Sequence, residues 1–308
     1  MKLVAAAKVR RAQQAVLRCR PFNEELEQVL GGLLEKVKDL DVDIPLLEER
    51  EVKAVGLAYI MGDRGLCGGY NNRIKREVDN RLEQLAPKGL DVKLIPIGYK
   101  GYLWANRERN PRLSDQIVTN FDCGLKPTSE QAKNISDFLL DLFYTRKVDR
   151  VELIYTKFIN FADQQGAIRT LIPLLPDDLS IPNDEVFRLT SKKSELVIEK
   201  EKLPVAPPAE FVEEVLFDED PAALLNAILP LYLNGQLLRT LQEGVAGELA
   251  ARMAAMDQAT TNAKKMERKT TILMHKTRRE RINLRLSEVM TTVEAMRVDA
   301  IARGEAWY

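Results

Sequence analysis

Apolar residues near the start of the chain recur at intervals of three or four, the spacing of one face of an α-helix. Residues 1–20 contain neither glycine nor proline, and the same stripe continues after Pro21. The spacing predicts one helix from the start of the chain to about residue 38, bent near Pro21. Its apolar positions are Leu3, Val4, Ala7, Val9, Ala12, Val16, Leu17, Phe22, Leu26, Val29, Leu30, Leu33, Leu34 and Val37.

A second and longer helix is predicted after Pro230. Residues 248–303 include no glycine or proline, and a helix over that stretch would be about 84 Å long at 1.5 Å per residue. No globular core of this size buries such a helix, so it must project and pair, and the helix at the other chain end is the nearest candidate. Its coiled-coil-like seam steps through Leu238, Leu241, Val245, Leu249, Met253, Met256, Ala259, Ala263, Met266, Thr270 and Leu273, and resumes at Ile282, Leu286, Val289, Val293 and Met296.

Between the two end helices, apolar runs alternate with amphipathic segments. The pattern predicts helices at 72–85 and 129–144, the second capped by Thr128 or Ser129. It predicts strands at 52–61, 91–98, 148–158 and 167–172, with a weaker one at 116–120. Such alternation is typical of an α/β layer with a mostly parallel sheet.

Residues 173–221 have a different character, because prolines punctuate them and acidic residues outnumber basic ones. Two short strand-like pieces, 186–190 and 195–199, are joined by a charged tetrapeptide. We therefore predict a charged β-hairpin on a surface loop.

Composition excludes several classes of protein. The chain of 308 residues has one histidine and three cysteines without a CxxC pair, which argues against a zinc ribbon, a disulfide scaffold and a Ser-His-Asp triad. No apolar run approaches the length of a membrane span, and residues 1–20 have no signal-peptide core.

Charge is balanced overall but unevenly distributed. There are 46 basic and 46 acidic residues, yet residues 1–20 carry no acid and residues 261–285 are strongly basic. Either run by itself can be a solvated helix face. If the two lie side by side, they form a positive rod that favours an acidic partner: nucleic acid, anionic lipid or an acidic protein surface.

The sequence GDRGLCGGYN at 62–71 lies between a predicted strand and a predicted helix, where a phosphate loop would lie. It lacks the G-K-[ST] ending and the GxGxxG spacing, and the sequence offers no cofactor site. The alternative is a structural turn: Gly62, Gly65, Gly68 and Gly69 allow tight backbone, and Arg64 can hold a carboxylate in a bidentate manner.

Near the start of the long helix, Arg239 and Glu243 are four residues apart. They can pair along the helix, while Gln242 can hydrogen-bond an outside loop. The spacing leaves both possibilities open.

Taken together, these stretches resemble the γ subunit of F-type ATP synthases, most strongly its cyanobacterial and plastid branch. The resemblance runs from residue 1 to about residue 290. The segments that carry it are MKLVAAAKVRRAQ (1–13), RPF (20–22), GDRGLCGGYN (62–71), VDRVELIYTKF (148–158), DEVFRLT (184–190), DPAALLNAILPLYLNGQLLRTLQE (220–243) and ELAARMAAMDQATTNA (248–263).

The resemblance implies a long antiparallel coiled coil of N- and C-terminal helices with a Rossmann-like α/β domain between them. We expect an N-terminal coiled-coil helix at 1–48, an α/β domain at 49–221 and a C-terminal helix at 222–308. The hairpin at about 184–203 would be the insertion typical of the photosynthetic branch. Residues 173–221 contain no cysteine, so the thiol switch that green plants carry there should be missing.

The resemblance also implies a non-catalytic rotor shaft. It would couple rotation of a proton-driven c ring to conformational change in the catalytic β subunits, with the α and β subunits, the ε subunit and the c ring as partners. The complex would stand on the stromal face of the chloroplast thylakoid or the cytoplasmic face of a cyanobacterial one, peripheral to the membrane. The residues expected to contact the α/β hexamer are Met1, Lys2, Lys8, Arg11, Arg239, Gln242, Arg278 and Arg279.

Two departures from the family pattern keep an alternative open. The family's first helix usually starts about two dozen residues before the segment MKLVAAAK. The segment 275–286 keeps Arg278 and Ile282 but has Arg279, Asn283 and Arg285 where the family usually has Gln, Thr and Glu. Either departure would suit a γ-like paralogue or truncated form without rotary coupling. A basic nucleic-acid-binding protein and a nucleotide enzyme using Gly62–Gly69 are weaker alternatives.

Overall fold

The computed structural model describes residues 2–37, 45–47, 50–106, 111–158, 164–174, 186–192, 195–201 and 221–304. Two compact units divide the chain at residue 256, with Met1–Met256 in the first and Asp257–Tyr308 in the second. The helices are α1 (Lys2–Val37), α2 (Tyr70–Leu85), α3 (Tyr99–Ala105), α4 (Pro111–Asp115), α5 (Ser129–Tyr144) and α6 (Pro221–Ala302). The strands are β1 (Ala54–Ile60), β2 (Asp91–Ile97), β3 (Arg150–Phe158), β4 (Gln164–Ile172), β5 (Val186–Lys192) and β6 (Glu195–Glu201).

The central sheet has the strand order β2-β1-β3-β4. β1 is parallel to both β2 and β3, while β4 is antiparallel to β3 at one edge. The predicted mostly parallel sheet is therefore confirmed, and so is the predicted hairpin, which is formed by β5 and β6.

Side chains on β1 alternate between two apolar clusters, as the two-residue period of a strand requires. Leu57 and Tyr59 pack with residues of α2 and α3. Ala58 and Ile60 face the opposite side, in a cluster that also holds residues of α1, α5 and α6. The sheet is thus covered on both faces, which explains why its parallel strands are continuously apolar.

α1 and the first part of α6 run antiparallel. Ala5 lines one cavity together with Arg252 and Met256, and Ala12 lines another together with Val245. Further along, Asn23 touches Gly235. Because residue numbers rise on one helix as they fall on the other, the predicted antiparallel pair is confirmed within the first unit.

Two predicted elements are wrong in detail. Residues 116–120 form no strand; the structure has isolated bridges from Ile117 to Leu94 and from Phe121 to Ile97. Pro96 of β2 has no N–H to donate between these bridges, so a continuous ladder cannot form. The long helix begins at Pro221 rather than after Pro230 as its residue pattern predicted, and this start is one residue from the 222 that the resemblance implies. Proline is tolerated at a first helical position because the N–H that it lacks would have no partner there.

The second unit consists of the later part of α6 and the chain end. Its side chains from residue 257 to residue 299 are exposed, including the predicted seam residues Ile282, Leu286, Val289 and Val293. Among the helices of the described ranges, none is long and apolar enough to cross a membrane.

Candidate partner-binding surface

An amphipathic groove of about 330 Å³ lies between α1, the 125–127 segment and α6. Three chain segments that are far apart in sequence meet there. Apolar side chains form much of its wall, and four polar side chains complete it. Its lining residues are Lys8, Arg11, Ala12, Ala15, Leu125, Lys126, Pro127, Gln242, Val245 and Leu249.

The polar lining of this groove is cationic. Lys8, Arg11 and Lys126 are exposed, and the lining includes no acidic side chain. The Oε1 atom of Gln242 is buried without a hydrogen-bond partner. Buried polar atoms are usually hydrogen-bonded, so this oxygen lacks the donor that such an atom normally has. The cationic lining suits a segment that brings carboxylates.

The structure brings only some of the predicted contact residues to this groove. Lys8, Arg11 and Gln242 line it, and Lys2 lies half-buried in the first turn of α1. Arg278 and Arg279 are exposed on the second unit. Met1 lies outside the described residues. Contact of these residues with a partner stays a prediction.

Arg239 lies inside the fold, with 4% of its side chain exposed. Its Nε is 3.1 Å from Glu243 Oε1, and the Glu243 side chain is equally buried. The sequence allowed either an Arg239–Glu243 pair along the helix or a hydrogen bond from Gln242 to an outside loop. The structure contains the pair along the helix. Arg239 as a contact residue stays a prediction about the assembled protein.

The turn between β1 and α2 is anchored by Asp63. Its Oδ1 accepts hydrogen bonds from Tyr99 N at 2.9 Å and Cys123 N at 3.3 Å, and its Oδ2 accepts from Gly124 N at 2.8 Å. One carboxylate thereby joins three loops at the same end of the sheet. Asp63 was not among the residues predicted from the sequence, although an acidic residue directly after the strand, inside a glycine-rich turn, was an available signal.

Two glycines of this turn are required for different reasons. Gly68 has φ +57°, in the left-handed region that favours glycine. A Cβ on Gly62 would lie 2.7 Å from Glu248 Cδ, so Gly62 allows α6 to approach the turn. Gly65 and Gly69 face open space. Arg64 is exposed, and the Glu248 carboxylate pairs instead with Arg252 of its own helix.

Glu248 is a buried carboxyl group where α6 passes the turn. Burial raises its pKa and Asp63 adds to the rise, while the positive charges of Arg252 and Arg64 oppose it. In the described residues, no cluster of histidine, cysteine or carboxylate side chains could hold a metal ion.

Glu248 should therefore make stability depend on pH. Its folded pKa lies above the ordinary value of 4.5, so the folded chain holds this proton more tightly than the unfolded chain does. The contribution to the free energy of unfolding is complete below pH 4.5 and is lost as the pH rises through the folded-state pKa. Urea unfolding at a series of pH values should show a smaller slope in Glu248→Gln than in the exposed Glu130→Gln. Part of the slope should remain, because burial and the neighbouring Glu83 also raise the pKa of Asp79. An unchanged slope in Glu248→Gln would assign the titration to another group.

Comparison with known proteins identifies the family. The family model for ATP synthase matches residues 1–296. An ATP synthase gamma chain of Synechococcus elongatus is 45% identical over 96% of this chain and 92% of its own length. A chloroplastic ATP synthase gamma chain of Phaeodactylum tricornutum is 43% identical over 96% of this chain and 79% of its own length.

Solved structures agree on the fold. The central stalk and c-ring structure of the Tetrahymena thermophila mitochondrial ATP synthase contains a chain that matches with a TM-score of 0.57 and 21% identity, over 84% of this chain and 97% of that one. The two chains therefore share a fold. The chain belongs to the ATP synthase γ-chain family, and the resemblance drawn from its sequence is confirmed.

Proposed function

We propose that this chain is the central rotor shaft of an F-type ATP synthase. It would couple rotation of a proton-driven c ring to conformational change in the catalytic β subunits, and would itself catalyse nothing. The observation that carries this proposal is the 45% identity to a cyanobacterial gamma chain along 96% of the sequence. The partners would be the α and β subunits, the ε subunit and the c ring.

A shaft of this kind works by differential contact, because it must favour one β conformation over another as it turns. The groove of Lys8, Arg11, Lys126 and Gln242 supports a contact with an acidic loop of the surrounding hexamer. Exposed ion pairs are worth about 0–1 kcal/mol each. Such weak pairs suit a surface that is released and remade at every turn.

The place of the complex is also a proposal. Relatives are named from cyanobacteria and from chloroplasts. We place the chain at the stromal face of a chloroplast thylakoid, or at the cytoplasmic face of a cyanobacterial one, held to the membrane only through the complex.

Reconstitution tests the proposed function. The chain is mixed with α and β subunits of a cyanobacterial enzyme, the hexamer is isolated by size, and ATP hydrolysis is assayed. We expect the chain to elute with the hexamer and to restore turnover. Association without turnover would instead favour the paralogue without rotary coupling, and failure to associate would contradict the proposal.

The same assay tests the groove. Arg11→Glu reverses one charge of the groove, whereas Arg76→Glu reverses an exposed charge on α2, away from it. Weaker association or slower turnover should appear with Arg11→Glu and not with Arg76→Glu. Equal effects of the two substitutions would argue against the groove as the contact.

A further inference from the structure

Directional polar links tie the edge strand β4 to α6. Near the middle of β4, Arg169 donates from Nη1 to Gln236 Oε1 at 2.8 Å and from Nη2 to Tyr232 Oη at 2.9 Å. Gln236 and Tyr232 are each 1% exposed. Water therefore cannot readily replace this guanidinium as the hydrogen-bond donor. The link fixes α6 to β4 at the position of Tyr232 and Gln236.

The first residue of β4 makes a second link, at another level of α6. Gln164 Nε2 donates to the Gly247 carbonyl oxygen at 3.0 Å, and the Gln164 side chain is buried. Close by, Arg252 Nη2 donates to the Gly65 carbonyl oxygen at 3.3 Å. Tyr232 and Gly247 are about 22 Å apart along the helix axis at 1.5 Å per residue.

Apolar packing alone would resist rotation of α6 poorly, because the hydrophobic effect is non-directional. Where α6 crosses the sheet it presents glycines, so at these positions it has no side chain that interlocks with the strands. At Gly244 a Cβ would lie 3.0 Å from Ile60 Cγ2, and at Gly247 it would lie 3.4 Å from Tyr70. Hydrogen bonds depend steeply on angle. Two sets of them, separated along the axis, oppose both twisting and sliding.

We propose that Gln164 and Arg169 are positioning residues that pass torque between the α/β domain and the shaft helix. This inference rests on the proposed rotor function. We call the five residues Gln164, Arg169, Tyr232, Gln236 and Gly247 the β4 clamp. A turning α/β domain pulls on α6 through the β4 clamp, so the helix turns with the sheet instead of twisting against it.

Torsional stiffness is the property to measure. A hexamer of α and β subunits that contains the full chain is immobilised. A bead is attached to the sheet-bearing domain of this chain through Lys88→Cys, and the angular fluctuation of the stalled rotor is recorded. The double variant Gln164→Leu, Arg169→Met removes three of the four hydrogen bonds described. We expect it to lower the stiffness roughly twofold, because buried polar networks act together.

Arg150→Met is the matched control. It removes links from Arg150 to Thr170 and Glu152 inside the sheet and leaves α6 untouched. Stiffness should stay at the wild-type value in this control. The inference is overturned if the double variant is as stiff as the wild type, or if Arg150→Met softens the rotor equally.

Hydrogen exchange on the free full-length chain separates this inference from the proposed function. Loss of the β4 clamp should speed amide exchange in α6 around residues 232–247 more than in α5. Unchanged exchange there contradicts the clamp even where the hexamer turns. If the variant exchanges faster but the wild-type chain does not rotate in the hexamer, the β4 clamp is supported and the rotor function is rejected.

Discussion

Gly98→Ala should destabilise the chain more than a glycine-to-alanine substitution at any other glycine of the described residues. Gly98 has φ +109°, and a Cβ there would lie 1.9 Å from the Met61 carbonyl oxygen. The obstacle is backbone of the central strand region, which cannot swing aside as a side chain can. Backbone strain and overpacking each cost about 1–3 kcal/mol. We expect a loss of about 3–6 kcal/mol in the free energy of unfolding, measured by denaturant titration.

Gly89→Ala is the control for this prediction. Gly89 also has a positive φ, +64°, but a Cβ there meets no atom within 4 Å. It should therefore cost only the left-handed backbone penalty of about 1–2 kcal/mol. Equal losses in the free energy of unfolding at Gly98 and Gly89 would mean that the backbone at Met61 moves aside. Steric contact with Met61 would then not decide the effect.

Arg81→Met should produce the second large loss, because it breaks a buried ion pair. Glu152 on β3 is 1% exposed, and Arg81 of α2 holds it with two bonds of 2.7 Å and 2.6 Å. Arg150 lies 3.0 Å from the same carboxylate, so some compensation remains. Removing one partner of a buried pair costs about 3–5 kcal/mol, and we expect the lower end of that range in denaturant unfolding.

Two further variants separate charge burial from packing. The double substitution Arg81→Met, Glu152→Leu removes both charges and should recover most of the loss, because a well-packed apolar pair can replace a buried ion pair. Lys53→Met breaks a surface pair whose side chains are 77% and 85% exposed and should leave stability unchanged. A double variant no more stable than Arg81→Met would contradict this account.

Periodicity alone predicted much of the local structure. The helix at 129–144 has its predicted bounds and its Thr128 cap, whose side chain accepts from Gln131 N. Such features depend on residues within one or two turns of each other. The short helix α3, with the sequence YKGYLWA, was missed because seven residues give too little repeat for a helical period.

The candidate site was predictable as a set of residue types but not as a place. The basic character of the first helix was plain from the sequence, and Lys8 and Arg11 do line the groove. The 125–127 wall of the groove was not foreseen, and neither was the position of Gln242 beside it. They arise only where segments more than a hundred residues apart come into contact.

By itself, then, the sequence determined the family, the helical ends, the alternating middle and the basic face of α1, because these follow from local spacing and from segments of high similarity. Tertiary structure alone decided that the Arg239–Glu243 pair is buried, that Asp63 joins three loops and that β4 holds α6 at two levels. The physical reason is that a side chain's partner is set by which surfaces the folded chain brings within hydrogen-bond distance. Spacing along the sequence does not specify that distance for groups on different elements.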